Sequence, residues 1–380
     1  MKVVLPRSRA GRAGRRALLG IVVAAAGVVL VRALAGVDLA ATLRAVARPG
    51  PWVAIALAPF VVSTAFDAAG MVLLVGALGR TVPFARMLAI RIATEALHLT
   101  APAGFLVADS ATAVLLHSRS GVPLREGAVL AVARKWLVMR AHGIYIALGA
   151  LAGWGALTAM SRSHLGGSWL AWAVAGGALV PLALSAGVGA GFRGGGAVAR
   201  VQSVLGTIPW TALRRAVAGW RAGAAEVDGH MASVGAAKAV TRTATLAFLA
   251  CWLGESLDTA IILRLVGGPF DFALAMGAEV GVSLLRSVGN FAPAGLGLQD
   301  AGYATMLSGL GIPIDTAAAF VILKRAKEMA WIAFGYALFA ALRSPAGVAL
   351  PAWARRVAAI RFRGARDPVP VLLLEGPNGG

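Results

Sequence analysis

Six stretches of the 380-residue chain, Ala17–Leu34, Trp52–Leu78, Ala128–Leu151, Trp169–Val188, Thr245–Leu265 and Ala317–Leu342, are predominantly apolar. Each reaches the ~20 residues with which an α-helix crosses ~30 Å of hydrocarbon. With 59% hydrophobic and only 14% charged residues, the chain carries more apolar surface than a soluble domain can bury. The pattern predicts an all-α integral membrane protein with about six full-span helices.

A formal net charge of +20 could suggest nucleic acid, but the position of the charge argues otherwise. Arginines gather in residues 1–16, in 192–242 and in the tail 343–380, the connecting segments that the positive-inside rule assigns to the cytoplasm. The expected partners are membrane lipids, through anionic headgroups of the inner leaflet, and not nucleic acid. Around Ile208–Val227, Trp210, Leu213, Val217 and Trp220 alternate with Arg214, Arg215 and Arg221, as in an amphipathic helix lying on headgroups. The first apolar run follows a basic N-terminus and exceeds a typical signal-peptide core, so an uncleaved anchor is predicted. The expected setting is the bacterial cytoplasmic membrane, with both termini in the cytoplasm.

Cys251 is the single cysteine, and His98, His117, His142, His164 and His230 show no ligand spacing, so neither a disulfide framework nor a metal or other cofactor is expected.

Between the second and third spans the pattern becomes irregular. Leu88–Leu99 and Phe105–Leu116 are apolar arms of about a dozen residues, joined by Thr100-Ala101-Pro102-Ala103-Gly104. Each is too short to cross, so the segment reads as a re-entrant helical hairpin turning at Pro102 to Gly104, with one long kinked helix as the alternative. A backbone broken at that depth must be covered by protein or line a polar cavity.

The irregularity recurs. Pro102-Ala103-Gly104 with Asp109 is matched by Pro293-Ala294-Gly295 with Asp300, at a constant offset of 191. After a one-residue deletion Gly121-Val122-Pro123, Ala128 and Arg134-Lys135 correspond to Gly311-Ile312-Pro313, Ala318 and Lys324-Arg325. An ordered match over more than thirty residues is an internal repeat, with copies at about 88–151 and 272–342 inside a membrane domain of 17–342. Three spans separate the copies, an odd number, so an inverted-topology repeat is expected. Interrupted helices at matching positions mark the binding site in secondary transporters of this architecture. Phe272–Phe291 is long enough either to cross or to form the first arm of the second hairpin.

The apolar segments also hold Asp67, Arg91, Glu95, Asp109, Arg134, Lys135, Arg140, Glu255, Asp258, Glu279, Arg286, Asp300, Lys324, Arg325, Lys327 and Glu328. Each charge at mid-membrane costs ~2.5–3.5 kcal/mol on the mildest insertion scale, so they must pair or surround a hydrated cavity. Helical spacing predicts pairs Arg91–Glu95 and Lys324–Glu328 at i,i+4 and Arg325–Glu328 at i,i+3. The dibasic pairs Arg134-Lys135 and Lys324-Arg325 place adjacent cations where one acid cannot neutralise both. Beside the two Pro-Ala-Gly breaks they predict an anion site, aided by the helix N-termini near Asp109 and Asp300.

The run Asn290-Phe291-Ala292-Pro293-Ala294-Gly295-Leu296-Gly297-Leu298-Gln299-Asp300, followed by Leu307, Gly311-Ile312-Pro313, Ala317-Ala318 and Lys324-Arg325, resembles the signature of the flippase-like membrane domain of lysylphosphatidylglycerol synthases, a family that includes hopanoid-biosynthesis-associated membrane proteins. The first copy, from Glu95 to Arg134-Lys135, is similar to the family's earlier motif. Where the family usually has glutamate, this chain has Asp109 and Asp300, and the arginine that follows the first acid is missing from Ser110–Ala113.

The resemblance implies translocation of a polar or anionic lipid: a phospholipid, a hopanoid or a polyprenyl-linked lipid. Pro102, Gly104, Asn290, Pro293 and Gly295 would line its path beside the dibasic pairs. Only Ser344–Gly380 follows the membrane part, which implies translocation without the aminoacyl transfer of the bifunctional members. The chain has no Walker-type phosphate loop, Asp-rich diphosphate motif, His-Glu metal motif or serine elbow, so no enzyme activity is expected. A lipid-modifying enzyme and an accessory scaffold with lipid-biosynthesis partner proteins are the alternatives.

Overall fold

The computed structural model describes residues 37–101, 104–164, 166–196, 198, 221–289 and 298–343. The expected first span, Pro102 and Ala103, most of the amphipathic stretch, Asn290 through Gly297 and the C-terminal tail lie outside them, as does the side chain of Arg286.

The described residues form helices and no strand: α1 Leu39–Ala47, a 3₁₀ stretch Gly50–Leu57, α2 Ala58–Ala77, α3 Phe84–Thr100, α4 Gly104–Ser120, α5 Leu124–Ala152, α6 Trp154–His164, α7 Trp169–Gly177, α8 Leu179–Gly194, α9 Arg221–Ala236, α10 Lys238–Leu265, α11 Phe272–Gly289, α12 Leu298–Gly309 and α13 Ile314–Arg343. Among them Gly50–Ala77, Trp169–Gly194 and Lys238–Leu265 are long and apolar enough to cross a membrane. Leu124–Ala152 with Trp154–Arg162, bent by 70°, gives a fourth if taken as one span. The chain is an α-helical membrane protein. The span expected over Ala317–Leu342 lies in the 30-residue helix α13, whose apolar run is interrupted by Lys324, Arg325, Lys327 and Glu328.

The two arms expected at a dozen residues are longer: α3 and α4 have 17 residues each, roughly 25 Å. The extra length lies beyond the apolar runs, where Arg86 and Arg119 can send their charged ends outward. α3 and α4 pack side by side as a hairpin. The return is tight enough that a Cβ on Gly104 would fall 1.9 Å from the His98 carbonyl oxygen, so only glycine fits there.

The joints leading into α5 and α13 are alike. Gly121 and Gly311 take φ of 67° and 85°, the left-handed conformation that ends the preceding helix. Val122 and Ile312 donate back to Leu116 and Leu307 at 3.3 and 3.0 Å and bury their side chains. Pro123 and Pro313 then open the next helix, where a missing N–H costs nothing.

Packing relates two sets, α2–α5 and α10–α13. Within each set the successive helices pack on one another. Between them α2 lies on α10, α3 on α13, and α5 on α11. α2 and α10 run antiparallel: a Cβ on Gly254 would meet Ser63, and one on Gly70 would meet Phe248. Apolar residues form two cores. One joins Met71, Leu88, Leu116 and Trp136 with Phe192 and Phe248; the other joins Tyr145, Leu157 and Leu263 with Val280, Tyr303 and Phe320.

Candidate functional site

Each helix set closes around a buried ionic network. In the first, Asp67 on α2 is shared by two guanidinium groups. Arg91 Nε on α3 donates to Asp67 Oδ2. Arg134 on α5 donates to Oδ1 through Nε at 2.9 Å and Nη2 at 2.8 Å. Arg91 is fully enclosed, and its Nη1 also donates to the Thr94 and Thr112 hydroxyls at 3.2 and 3.1 Å. Asp109 on α4 then receives Arg134 Nη1 at 3.4 Å and Lys135 Nζ at 3.5 Å. The Lys135 ammonium stands 5.0 Å above the Phe105 ring beside the hairpin turn.

In the second network Glu279 on α11 is the hub. Its Oε1 accepts from Lys324 Nζ at 3.0 Å, from Tyr303 Oη at 2.7 Å and from the Thr259 hydroxyl. Lys324 also donates to Thr259 Oγ1 at 3.1 Å and lies 3.5 Å from Asp258 Oδ2, which accepts from Lys327. Arg325 donates through Nε to Asp300 Oδ1 and through Nη1 to Glu328 Oε2, both at 2.6 Å.

Arg91–Glu95 is present at 3.6 Å, but as the longest of the polar contacts of Arg91, whose principal acid is Asp67. Arg325–Glu328 forms as its spacing predicts. The expected Lys324–Glu328 pair is not among the described ion pairs: Lys324 turns to the face of α13 that meets α10 and α11, where Glu279 and Asp258 stand. The structure joins Asp109 with Arg134 and Lys135, and Asp300 with Arg325, while Lys324 of the same dibasic pair belongs to the Glu279 hub. Gly104 sits at the first hairpin turn; Pro102, Asn290, Pro293 and Gly295 fall outside the described residues.

Asp67 and Asp258 read in the sequence only as isolated intramembrane charges, yet they too are separated by 191 and hold the matching cations Arg134 and Lys324. That spacing equals the offset between the two Pro-Ala-Gly runs, and the two residues lie one helix before them, on α2 and α10. Glu279, Thr259, Tyr303, Thr94 and Thr112 give no comparable signal. On α10, the Gly254–Ser63 and Phe248–Gly70 contacts put Cys251 level with Asp67, and Asp258 lies seven residues, about 10 Å, further along the helix. No metal-holding group of three or more His, Cys, Asp or Glu side chains occurs among the described residues.

Away from the networks, Arg80 forms a two-pronged pair with Glu126, Nε to Oε2 at 3.0 Å and Nη2 to Oε1 at 2.8 Å. These hydrogen bonds hold the guanidinium above its ordinary pKa.

Residues 17–335 match the family described as Lysylphosphatidylglycerol synthase TM region. No curated protein and no solved structure matches the chain.

Proposed function

Since the chain belongs to the Lysylphosphatidylglycerol synthase TM region family, whose membrane part is tied to lipid function, we propose that it translocates a polar or anionic lipid across the cytoplasmic membrane. α2–α5 and α10–α13 act as an inverted-topology repeat, a reading supported by the antiparallel course of α2 and α10 and by the reciprocal packing of α3 on α13 and α11 on α5. A headgroup moves between the two halves while its tails stay in lipid.

The observation that carries this reading is a division of labour within each dibasic pair. Arg134 and Lys324 have side chains only 12% and 5% exposed and are closed in by Asp67 and Glu279. Their neighbours Lys135 and Arg325 are 34% and 20% exposed. The first cation of each pair fixes the helices; the second, Lys135 at Asp109 and Arg325 at Asp300 and Glu328, can exchange a carboxylate for a headgroup phosphate. Asp109 and Asp300 hold Lys135 and Arg325 until the headgroup arrives, which makes the cations switchable.

The test is movement of a labelled anionic phospholipid between leaflets of proteoliposomes, beside a zwitterionic one. Lys135→Gln and Arg325→Gln should each slow the anionic lipid by about ten- to a hundredfold, the worth of one charge-assisted contact, with little change in melting temperature. Rates equal to protein-free vesicles, or variants that move lipid normally but melt earlier, would overturn the reading.

A further inference from the structure

A groove of about 560 Å³, open along one side, runs between the second half of α4 and the end of α13. Its walls are apolar through Val114, Leu115, Phe339 and Leu342. Arg119 and Arg343 are the last lining residues along α4 and α13, and Ser110, next in sequence to Asp109 of the first network, is the first along α4. The distance along α4 from Ser110 to Arg119 is about 13 Å.

The arginine end is strongly basic. Arg86 donates to the Arg119 carbonyl at 2.8 Å, which brings a third guanidinium to the same corner. Arg343 is exposed, lies over the Phe339 ring at 5.8 Å, and forms no ion pair among the described residues. Among the described residues no carboxylate lines the groove. An apolar trough with guanidinium groups at one end and no acid in its walls matches one class of molecule in a bilayer, a lipid with a negative headgroup and a hydrocarbon tail. The chain's own tail is the poorer occupant by charge, because Arg355, Arg356, Arg361, Arg363 and Arg366 follow Arg343 and would be repelled.

We propose that this groove is a binding site for an anionic phospholipid, with the phosphate between Arg119 and Arg343 and one acyl chain along Val114, Leu115, Phe339 and Leu342. The inference rests on the lipid-handling reading above and adds to it a loading site: a lipid held there has its headgroup on the helix that carries Asp109, at the end the arginine distribution assigns to the cytoplasm. Along α4 the groove extends as far as Ser110, the residue next in sequence to Asp109.

The full-length protein in phosphatidylcholine nanodiscs, doped with a photoactivatable phosphatidylglycerol, tests the site without requiring transport. Crosslinks should map to 110–119 and 339–343, with a phosphatidylcholine probe labelling them at least tenfold less. Arg119→Gln with Arg343→Gln should cut phosphatidylglycerol labelling by about tenfold or more, as expected for loss of charge-assisted contacts. Ala111→Trp, which fills the trough and keeps both arginines, should do the same. Equal labelling by both probes, or labelling unchanged in either variant, would overturn the site. Intact labelling with no lipid movement in proteoliposomes would remove the translocation reading alone; lipid movement without labelling would remove the groove alone.

Discussion

Replacing Asp67 with asparagine should be among the most damaging single changes in the protein. Its carboxylate is enclosed and receives hydrogen bonds from Arg91 and Arg134, two guanidinium groups that are themselves almost wholly withdrawn from solvent. With the charge removed, Arg91 keeps only two hydroxyls and a 3.6 Å contact to Glu95, so a cation stays buried without a close acid. Breaking a buried pair on one side costs ~3–5 kcal/mol. At ~2 °C per kcal/mol for a large domain, Asp67→Asn should lower the melting temperature by about 6–10 °C. Glu95, 25% exposed and further away, should behave as a peripheral partner: Glu95→Gln should cost about 1 kcal/mol or less. The double variant Asp67→Asn with Arg91→Met removes both sides of the closest pair and should recover part of the loss. Thermal unfolding of the purified protein in one detergent, followed by size-exclusion chromatography, gives all of these values. If Asp67→Asn melts no lower than Glu95→Gln, or if the double variant is worse than the sum of its parts, Asp67 is not the charge that holds the first network.

The second network makes a parallel prediction: Lys324→Met should cost ~3–5 kcal/mol by stranding Glu279, whereas Tyr303→Phe, which removes one hydrogen bond to the same oxygen, should cost about 1 kcal/mol, both read from melting curves. Helix contact at glycine gives another contrast. A Cβ on Gly153 would meet the Gly277 backbone at 2.7 Å, so Gly153→Ala should destabilise by about 1–3 kcal/mol, while at Gly281 the close contact is the flexible end of Met306, with Leu157 at an ordinary 3.7 Å, so Gly281→Ala should be milder.

Features written in short runs of residues are legible in the sequence. Apolar length gives the membrane class, and the Gly-Xaa-Pro joints and the hairpin at Gly104 follow from glycine and proline chemistry at fixed spacing. The Arg325–Glu328 pair is legible because both residues lie on one helical turn. The same local rule fails for Lys324: its acid, Glu279, is forty-five positions away and becomes its neighbour only when α11 and α13 pack. The role of Asp67 is hidden for the same reason, since its two guanidinium partners lie on separate helices. The arms of the first hairpin look too short in the sequence because apolar runs end where charged residues begin, and a helix can continue past that point while its arginines reach outward.

Cysteine accessibility distinguishes two helix sets that face opposite sides of the membrane around the site from two that face the same side. Cys251→Ser provides a cysteine-free background. Ser118, at the open end of the first hairpin, and Ser308, at the matching end of α12, are both exposed, so a cysteine at either can react with a membrane-impermeant maleimide. In sealed vesicles of known orientation, Ser118→Cys should label only from the cytoplasmic face and Ser308→Cys only from the opposite face. Labelling of both positions from the same face would contradict the inverted repeat and, with it, the path proposed for the lipid.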